Sequence, residues 1–248
     1  MRNKILIAIL LILAFSCAKK AEKKEEKLSA ESEYLKAFAF LKDKNYHQAG
    51  DLFEKIDDEY PFSKWSSKAQ VMAVYAYYKD EDSTKLVQII DDFIKLNPSN
   101  EYVPYMLYMK GLSYYDKIPG IEIAQDNSRD ASFTFRELIA RFPQTSYAEN
   151  AKEKITYIDE HIAGAKMSIG RAEMKNANYI GAIGNFVEVI NRYRQTNQVP
   201  EAYFRLIEIY YRIGLKEEGL AALFEIKARF PDNYWTKIAM TEFAKNIK

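Results

Sequence analysis

Residues 45–61 read NYHQAGDLFEKIDDEYP, and the fold turns on what this stretch shares with four later ones. Counting from Ala49, apolar residues follow at the fourth and seventh positions, Phe53 and Ile56, and a proline, Pro61, at the twelfth. Intervals of four and three keep side chains on one face of an α-helix. Proline, which lacks an N–H and clashes with the preceding turn, ends it. The register recurs in Leu86, Ile90, Phe93 and Pro98, then in Ala131, Phe135, Leu138 and Pro143. It returns in Ala182, Phe186 and Val189, with Arg194 in the proline's place, and in Gly219, Leu223, Ile226 and Pro231. Each stretch predicts a helix with one apolar face.

A second pattern precedes each of these. A small or apolar residue with an aromatic three further on recurs at Ala37/Phe40, Val74/Tyr77, Gly111/Tyr114 and Ile207/Tyr210, and Gly170 takes the first slot of the fourth copy. Small residues let paired helices approach, and aromatics fill the gaps between neighbouring pairs. The pattern resembles the tetratricopeptide repeat. One such hairpin cannot bury its apolar face alone, so five copies predict an all-α solenoid in which each hairpin stacks on the next. Equivalent positions lie 37, 45, 51 and 37 residues apart, so the middle copies carry insertions. One insertion reads as a loop over residues 116–130, where Pro119-Gly120 and Asn127-Ser128 mark turns. The other lengthens a helix through residues 149–163. Gly181, Gly184 and Gly219 each weaken a helix by about 1 kcal/mol relative to alanine, which predicts a softer C-terminal half.

With 36 basic and 35 acidic residues in 248, the chain carries a formal charge of +1 and has no basic patch to suggest nucleic acid as a partner. His47 and His161 stand far apart without carboxylate or thiol companions at ligand spacing, so they read as surface or packing residues and not as metal ligands. Neither a G-x-S-x-G elbow nor a phosphate-binding glycine loop is present. The chain reads as a binding protein, not an enzyme, and calls for no cofactor.

The aromatic content is the feature that needs a cause, with 19 tyrosines and 14 phenylalanines. Many fall on a second stripe of the first helix of each hairpin. That stripe holds Tyr34, Phe38, Leu41 and Lys42, then Lys68, Val71, Tyr75, Tyr78 and Lys79, then Tyr105, Tyr108, Leu112 and Tyr115. Large aromatics are ordinarily core. Their recurrence over three helices beside lysines favours instead a concave groove. Aromatic walls with a few ammonium groups suit an extended peptide that ends in an aromatic side chain and a free carboxylate. The candidate peptide-binding residues are Tyr34, Phe38, Lys42, Lys68, Tyr75, Tyr78, Lys79, Tyr105, Tyr108 and Tyr115.

At the N-terminus, Arg2 and Lys4 precede eleven apolar residues, Ile5 to Phe15. A bilayer-spanning helix needs about 20, so the run reads as a secretory signal peptide. Ala14-Phe15-Ser16-Cys17 resembles the lipobox of bacterial lipoproteins, with Ala14 where leucine is usual. That resemblance implies cleavage before Cys17 and its acylation with diacylglycerol and an amide-linked chain. Cys17 is the only cysteine, and a lone free thiol is out of place in an exported protein. Two or three acyl chains make a durable anchor where one does not. Inner-membrane lipoproteins often carry aspartate after the cysteine, and Ala18 here implies the outer membrane. The stretch AKKAEKKEEK, residues 18–27, is too charged to bury a core and reads as a solvated tether. The expected organisation is a signal peptide over 1–16, lipidated Cys17 and tether over 17–28, repeats one to three over 29–155, and repeats four and five over 156–248.

Four segments carry a closer likeness: YPFSKWSSKAQVMAVYAYYK (60–79), FIKLNP (93–98), YMLYMKGLSYY (105–115) and RELIARFPQTSYAENAKEKI (136–155). Together they resemble the BamD (YfiO/ComL-type) family of outer-membrane β-barrel assembly lipoproteins. The resemblance implies a non-catalytic, lipid-anchored scaffold on the periplasmic face of the outer membrane, within the BAM complex. Its N-terminal repeats would recognise the C-terminal signal of unfolded outer-membrane proteins. Its C-terminal repeats would dock a POTRA-containing barrel assembly protein, and other assembly lipoproteins are further partners that it implies. The chain departs from the family at Gly184-Asn185, where many members carry an arginine, and at Tyr193-Arg194, where they read Tyr-Pro. The alternative is a generic tetratricopeptide scaffold of the envelope that coordinates cell-wall synthesis with the outer membrane. Residues 18–33 lack the heptads such scaffolds carry.

Overall fold

A computed structural model describes residues 29–121 and 123–243. Cys17, the signal peptide and the whole tether lie outside the described residues. Among those described there are eleven helices and no strand. They are α1 (Ala30–Lys42), α2 (Tyr46–Glu59), α3 (Ser66–Lys79), α4 (Ser83–Leu96), α5 (Val103–Tyr115), α6 (Asp126–Arg141), α7 (Ser146–Lys175), α8 (Tyr179–Arg192), α9 (Val199–Arg212), α10 (Lys216–Arg229) and α11 (Tyr234–Phe243). The first ten pair in order into five antiparallel hairpins, and each hairpin packs on the next, as the repeat register predicts.

The stripe that defined the register is the core. Phe53, Ile56, Leu86, Ile90, Phe93, Phe135, Leu138, Phe186, Val189, Leu223 and Ile226 are all buried. At three helix joints a ring reaches closest where a residue lacks a Cβ. A Cβ on Gly50 would sit 2.6 Å from the Tyr77 ring, one on Gly170 would sit 2.6 Å from Phe186, and Gly111 meets Phe135 in the same way. Gly170 therefore fills the small slot of the fourth repeat.

Helix ends obey one local rule. The residue before each proline is pushed out of the helical region, because the proline ring crowds it. Tyr60, Asn97, Phe142 and Phe230 accordingly close their helices at φ −137°, −131°, −134° and −136°. Tyr193, followed by Arg194, ends α8 at the same place with φ −114°. There the Arg194 side chain donates from Nε to the Asn191 carbonyl, 2.8 Å. Within the hairpins, the turns of repeats one, two, four and five all pass through a left-handed residue: Lys44 (φ 61°), Glu81 (61°), Ala177 (59°) and Gly214 (84°).

Three features differ from the sequence reading. The inserted loop stops short of 130: α6 starts at Asp126, an acidic first residue that suits a helix N-terminus, and buried Ser128 donates to the Gln125 side chain, 2.8 Å. Helix α7 is lengthened through 149–163 as expected, but it runs unbroken for 30 residues, so the expected division after residue 155 falls inside a helix. Beyond Pro231 an eleventh helix covers the last hairpin, with Trp235 against Phe204 (5.1 Å between ring centroids) and Phe243 stacked on Tyr211 (5.0 Å). Terminal repeats need such a cap because their outer face has no neighbour.

Two apolar cores result, and they meet inside α7. Ala148, Ala151, Ile158 and Ile162 belong to the first, with repeats one to three. Ala163 and Met167 belong to the second, with repeats four and five.

Candidate peptide-binding groove

First helices of successive repeats touch one another, α1 on α3, α3 on α5 and α5 on α7, so side chains on their shared face form one wall. At its N-terminal end the Tyr34 ring lies 4.7 Å from Trp65 and 5.2 Å from Phe53, with Phe38 stacked alongside at 6.5 Å. The ammonium of Lys42 sits 5.2 Å above Phe38, that of Lys68 5.5 Å above Trp65, and that of Lys79 6.0 Å above Tyr75. All three lysines are exposed. A cation over a ring face is attracted to the ring quadrupole, so these charges are parked on the wall while remaining open to an anion.

The wall continues along α5. Tyr105 and Tyr108 flank Tyr147 at 5.9 and 5.4 Å, and Tyr115 lies 5.6 Å from Tyr157, which packs on His161 at 5.9 Å. Lys154 covers Tyr115 at 4.9 Å. Burial raises the phenols of Tyr34, Tyr105, Tyr108 and Tyr115 above their ordinary value, with neighbouring tyrosines, and Asp116 for Tyr108 and Tyr115, adding to the effect. These four phenols therefore stay neutral and can donate hydrogen bonds from the wall.

Nine of the candidate residues thus lie along the touching first helices on this side: Tyr34, Phe38, Lys42, Lys68, Tyr75, Lys79, Tyr105, Tyr108 and Tyr115. Tyr78 and Lys79 lie at its hairpin-turn side, where they line a cavity of about 320 Å³ with Glu81, Ser83, Asp116 and Lys117. Tyr78 is committed there. Its hydroxyl donates to Asp116 Oδ2, and its phenol is pushed up by burial and by that carboxylate. Leu41, which the sequence reading put on the groove stripe, is buried in the core, because the register that leaves Phe38 half-buried and Lys42 exposed turns Leu41 inward.

Four wall residues were missed, Trp65, Tyr147, Lys154 and Tyr157. The last three recur at helical intervals along α7, a signal available in the insertion over 149–163 and its approach. Trp65 precedes α3 and carries no periodic signal. His161 joins the inserted loop to α7 through Gln125 Oε1, 2.9 Å, and burial lowers its imidazole pKa. His47 lies against Asp80, 2.8 Å, at the first hairpin turn. Among the described residues no cluster of His, Cys, Asp and Glu is disposed to hold a metal, and no helix is long and apolar enough to cross a membrane.

A cavity of about 580 Å³ lies elsewhere, between the inserted loop, α7 and α8, and none of the candidate residues lines it.

The profile of the YfiO family, described as "Outer membrane lipoprotein", matches residues 26–222. A Caulobacter vibrioides protein named "Outer membrane protein assembly factor BamD" is 34% identical over 239 residues, covering 94% of this chain and 78% of its own. Its namesake from Rickettsia prowazekii is 31% identical, covering 96% of this chain and 95% of its own. The Neisseria meningitidis serogroup B namesake is 31% identical, covering 89% and 88%.

Proposed function

The chain belongs to the YfiO family of outer membrane lipoproteins, and we propose that within that family it presents its concave aromatic wall to the C-terminal segments of unfolded outer-membrane proteins. It is an outer membrane protein assembly factor, a scaffold and not an enzyme. The finer reading is the following. Cys17 carries the acyl anchor, the solenoid lies on the periplasmic face, repeats one to three over 29–155 hold substrate, and repeats four and five over 156–248 dock a POTRA-containing barrel assembly protein. Other assembly lipoproteins are candidates for the remaining surface.

One observation carries the substrate reading: rings from Phe38 to Tyr157 line four successive first helices, one group at α1 and α3 and another at α5 and α7, with Lys42, Lys68 and Lys79 exposed beside the first. Rings accept an aromatic side chain, and an ammonium answers a terminal carboxylate. The test is a fluorescence titration with three peptides: a free acid ending in phenylalanine, its amide, and a free acid with alanine in place of that ring. The free acid with the ring is expected to bind tightest and each single change to weaken it. Equal affinity for all three would leave the wall as packing.

A further inference from the structure

The turn between the first two repeats, residues 60–65, carries a side chain that the solenoid does not use. Phe62 is fully exposed, at 103% of its reference area, and no other large apolar side chain among the described residues is more so. Such a ring in water costs free energy with no packing in return. Next to it Trp65 lies between Lys64 and Lys68, each ammonium 5.5 Å from its ring. A phenylalanine at a tip, an indole behind it and lysines that can reach past both is the arrangement by which proteins sit in the headgroup layer of a bilayer.

Position supports the same occupant. The Tyr34 ring in the first turns of α1 rests on Trp65 at 4.7 Å, so this tip lies at the end of the solenoid where the chain enters from Cys17. From Cys17 to Ser29 there are twelve peptide units. Fully extended, they reach at most about 40 Å. A domain held that close by acyl chains meets the bilayer with this end first. We propose that residues 61–64 rest in the bilayer interface, with Phe62 inserted and Trp65 left on the wall behind them, as a second contact that fixes the tilt of the solenoid below its anchor. The proposal rests on the reading of Cys17 as the lipid attachment site. Glu31, Glu33 and Glu59 share this end with the lysines, so net charge does not supply the attraction. The contact is apolar and is expected to survive high salt.

Lipidated full-length protein is reconstituted in phosphatidylethanolamine–phosphatidylglycerol vesicles as Phe62→Trp and, for the far end, Phe224→Trp, each read as added emission over the parent with its own Trp65 and Trp235. Phe224 is exposed in the fifth repeat, so both substitutions leave the cores intact. Lipids brominated in their acyl chains are expected to quench the added emission at 62 and not at 224, with and without high salt. Protein that pellets with the vesicles but shows no quenching at 62 overturns the proposal while the anchor stands. Protein that does not pellet overturns the anchor reading, and this proposal with it. Emission at 62 that shifts only when a purified assembly partner is added assigns Phe62 to a protein interface and likewise overturns it.

Discussion

Across repeats one to four the first helices touch one another, α1 on α3, α3 on α5 and α5 on α7, whereas α9 of repeat five packs on α8 and meets α7 through polar contacts such as Arg171 with Glu201, 3.3 Å. That difference decides where the rings go. A contiguous row of first helices leaves its aromatics side by side on an open wall. Repeat five spends its rings on closure, with Phe204 and Tyr211 locked against Trp235 and Phe243 of the capping helix. One repeat pattern therefore builds an open surface at one end and a sealed one at the other. Helix α7 belongs to both, and each half-core ends on it.

The sharpest way to break this comparison is to cut α7. A chain ended at Lys175 retains Ile158 and Ile162, both buried in the first core, and a chain ended at Ile155 loses them. Losing a buried isoleucine side chain costs about 2–5 kcal/mol. The shorter chain is expected to be less stable by about 4 kcal/mol or more, read from urea denaturation followed by circular dichroism. Equal midpoints would remove the middle of α7 from the first core. Neither fragment should bind a purified POTRA region if repeats four and five dock it.

A smaller change asks whether the cores are independent. Gly111→Ala and Gly170→Ala push a methyl group into the Phe135 and Phe186 rings, at the same joint in the two halves. Overpacking of this kind costs about 1–3 kcal/mol. Hydrogen exchange should then quicken through residues 30–162 in the first variant and through 163–239 in the second. Loosening of the whole chain by both would show a single cooperative core.

Much of this architecture was legible before any coordinates. Intervals of four, seven and twelve located every second helix, because a repeat that must bury one stripe leaves that stripe in the sequence. The hairpin turns were not legible. Lys44, Glu81 and Ala177 adopt a left-handed backbone that ordinarily announces itself as glycine, and only Gly214 does so. The wall was legible in part: the residues of α1, α3 and α5 lay in register, Leu41 was drawn into it by proximity to Phe38 and Lys42, and Trp65 has no periodic partner. The capping helix follows Pro231, past the last element that the repeat defines.

On the open wall, ring and charge contributions should separate. Tyr75→Ala is expected to weaken a C-terminal aromatic peptide by about 2 kcal/mol, the scale of an interface hot spot. Lys42→Ala is expected to cost about 1 kcal/mol or less, because a half-exposed ion pair is screened. Raising the salt should shrink the lysine effect and spare the tyrosine effect, as read by titration at two ionic strengths. Tyr78→Phe should change little, since its hydroxyl is held by Asp116 and not offered to the groove. A Tyr78 effect as large as that of Tyr75 would move the binding surface towards the hairpin turns.

The smallest effects test whether the C-terminal half is soft for a local reason. Ala177 holds φ 59°, where its Cβ crowds the following carbonyl, and glycine relieves that strain. Seven residues on, Gly184 sits exposed inside α8 with nothing within 4 Å of where a Cβ would go, and there glycine only adds backbone freedom to the unfolded chain. Gly219 looks similar in sequence but is not, because the Tyr211 ring lies 3.0 Å from its would-be Cβ. Ala177→Gly and Gly184→Ala are opposite substitutions, yet each is expected to stabilise the fourth repeat by about 1 kcal/mol. They lie on different structural features, so together they should add to about 2 kcal/mol. If the second core unfolds apart from the first, denaturation followed by Trp235 emission should shift to higher urea while Trp65 emission stays in place. A gain from Gly219→Ala equal to that from Gly184→Ala would show that helix propensity alone, and not the ring above it, sets the stability of this half.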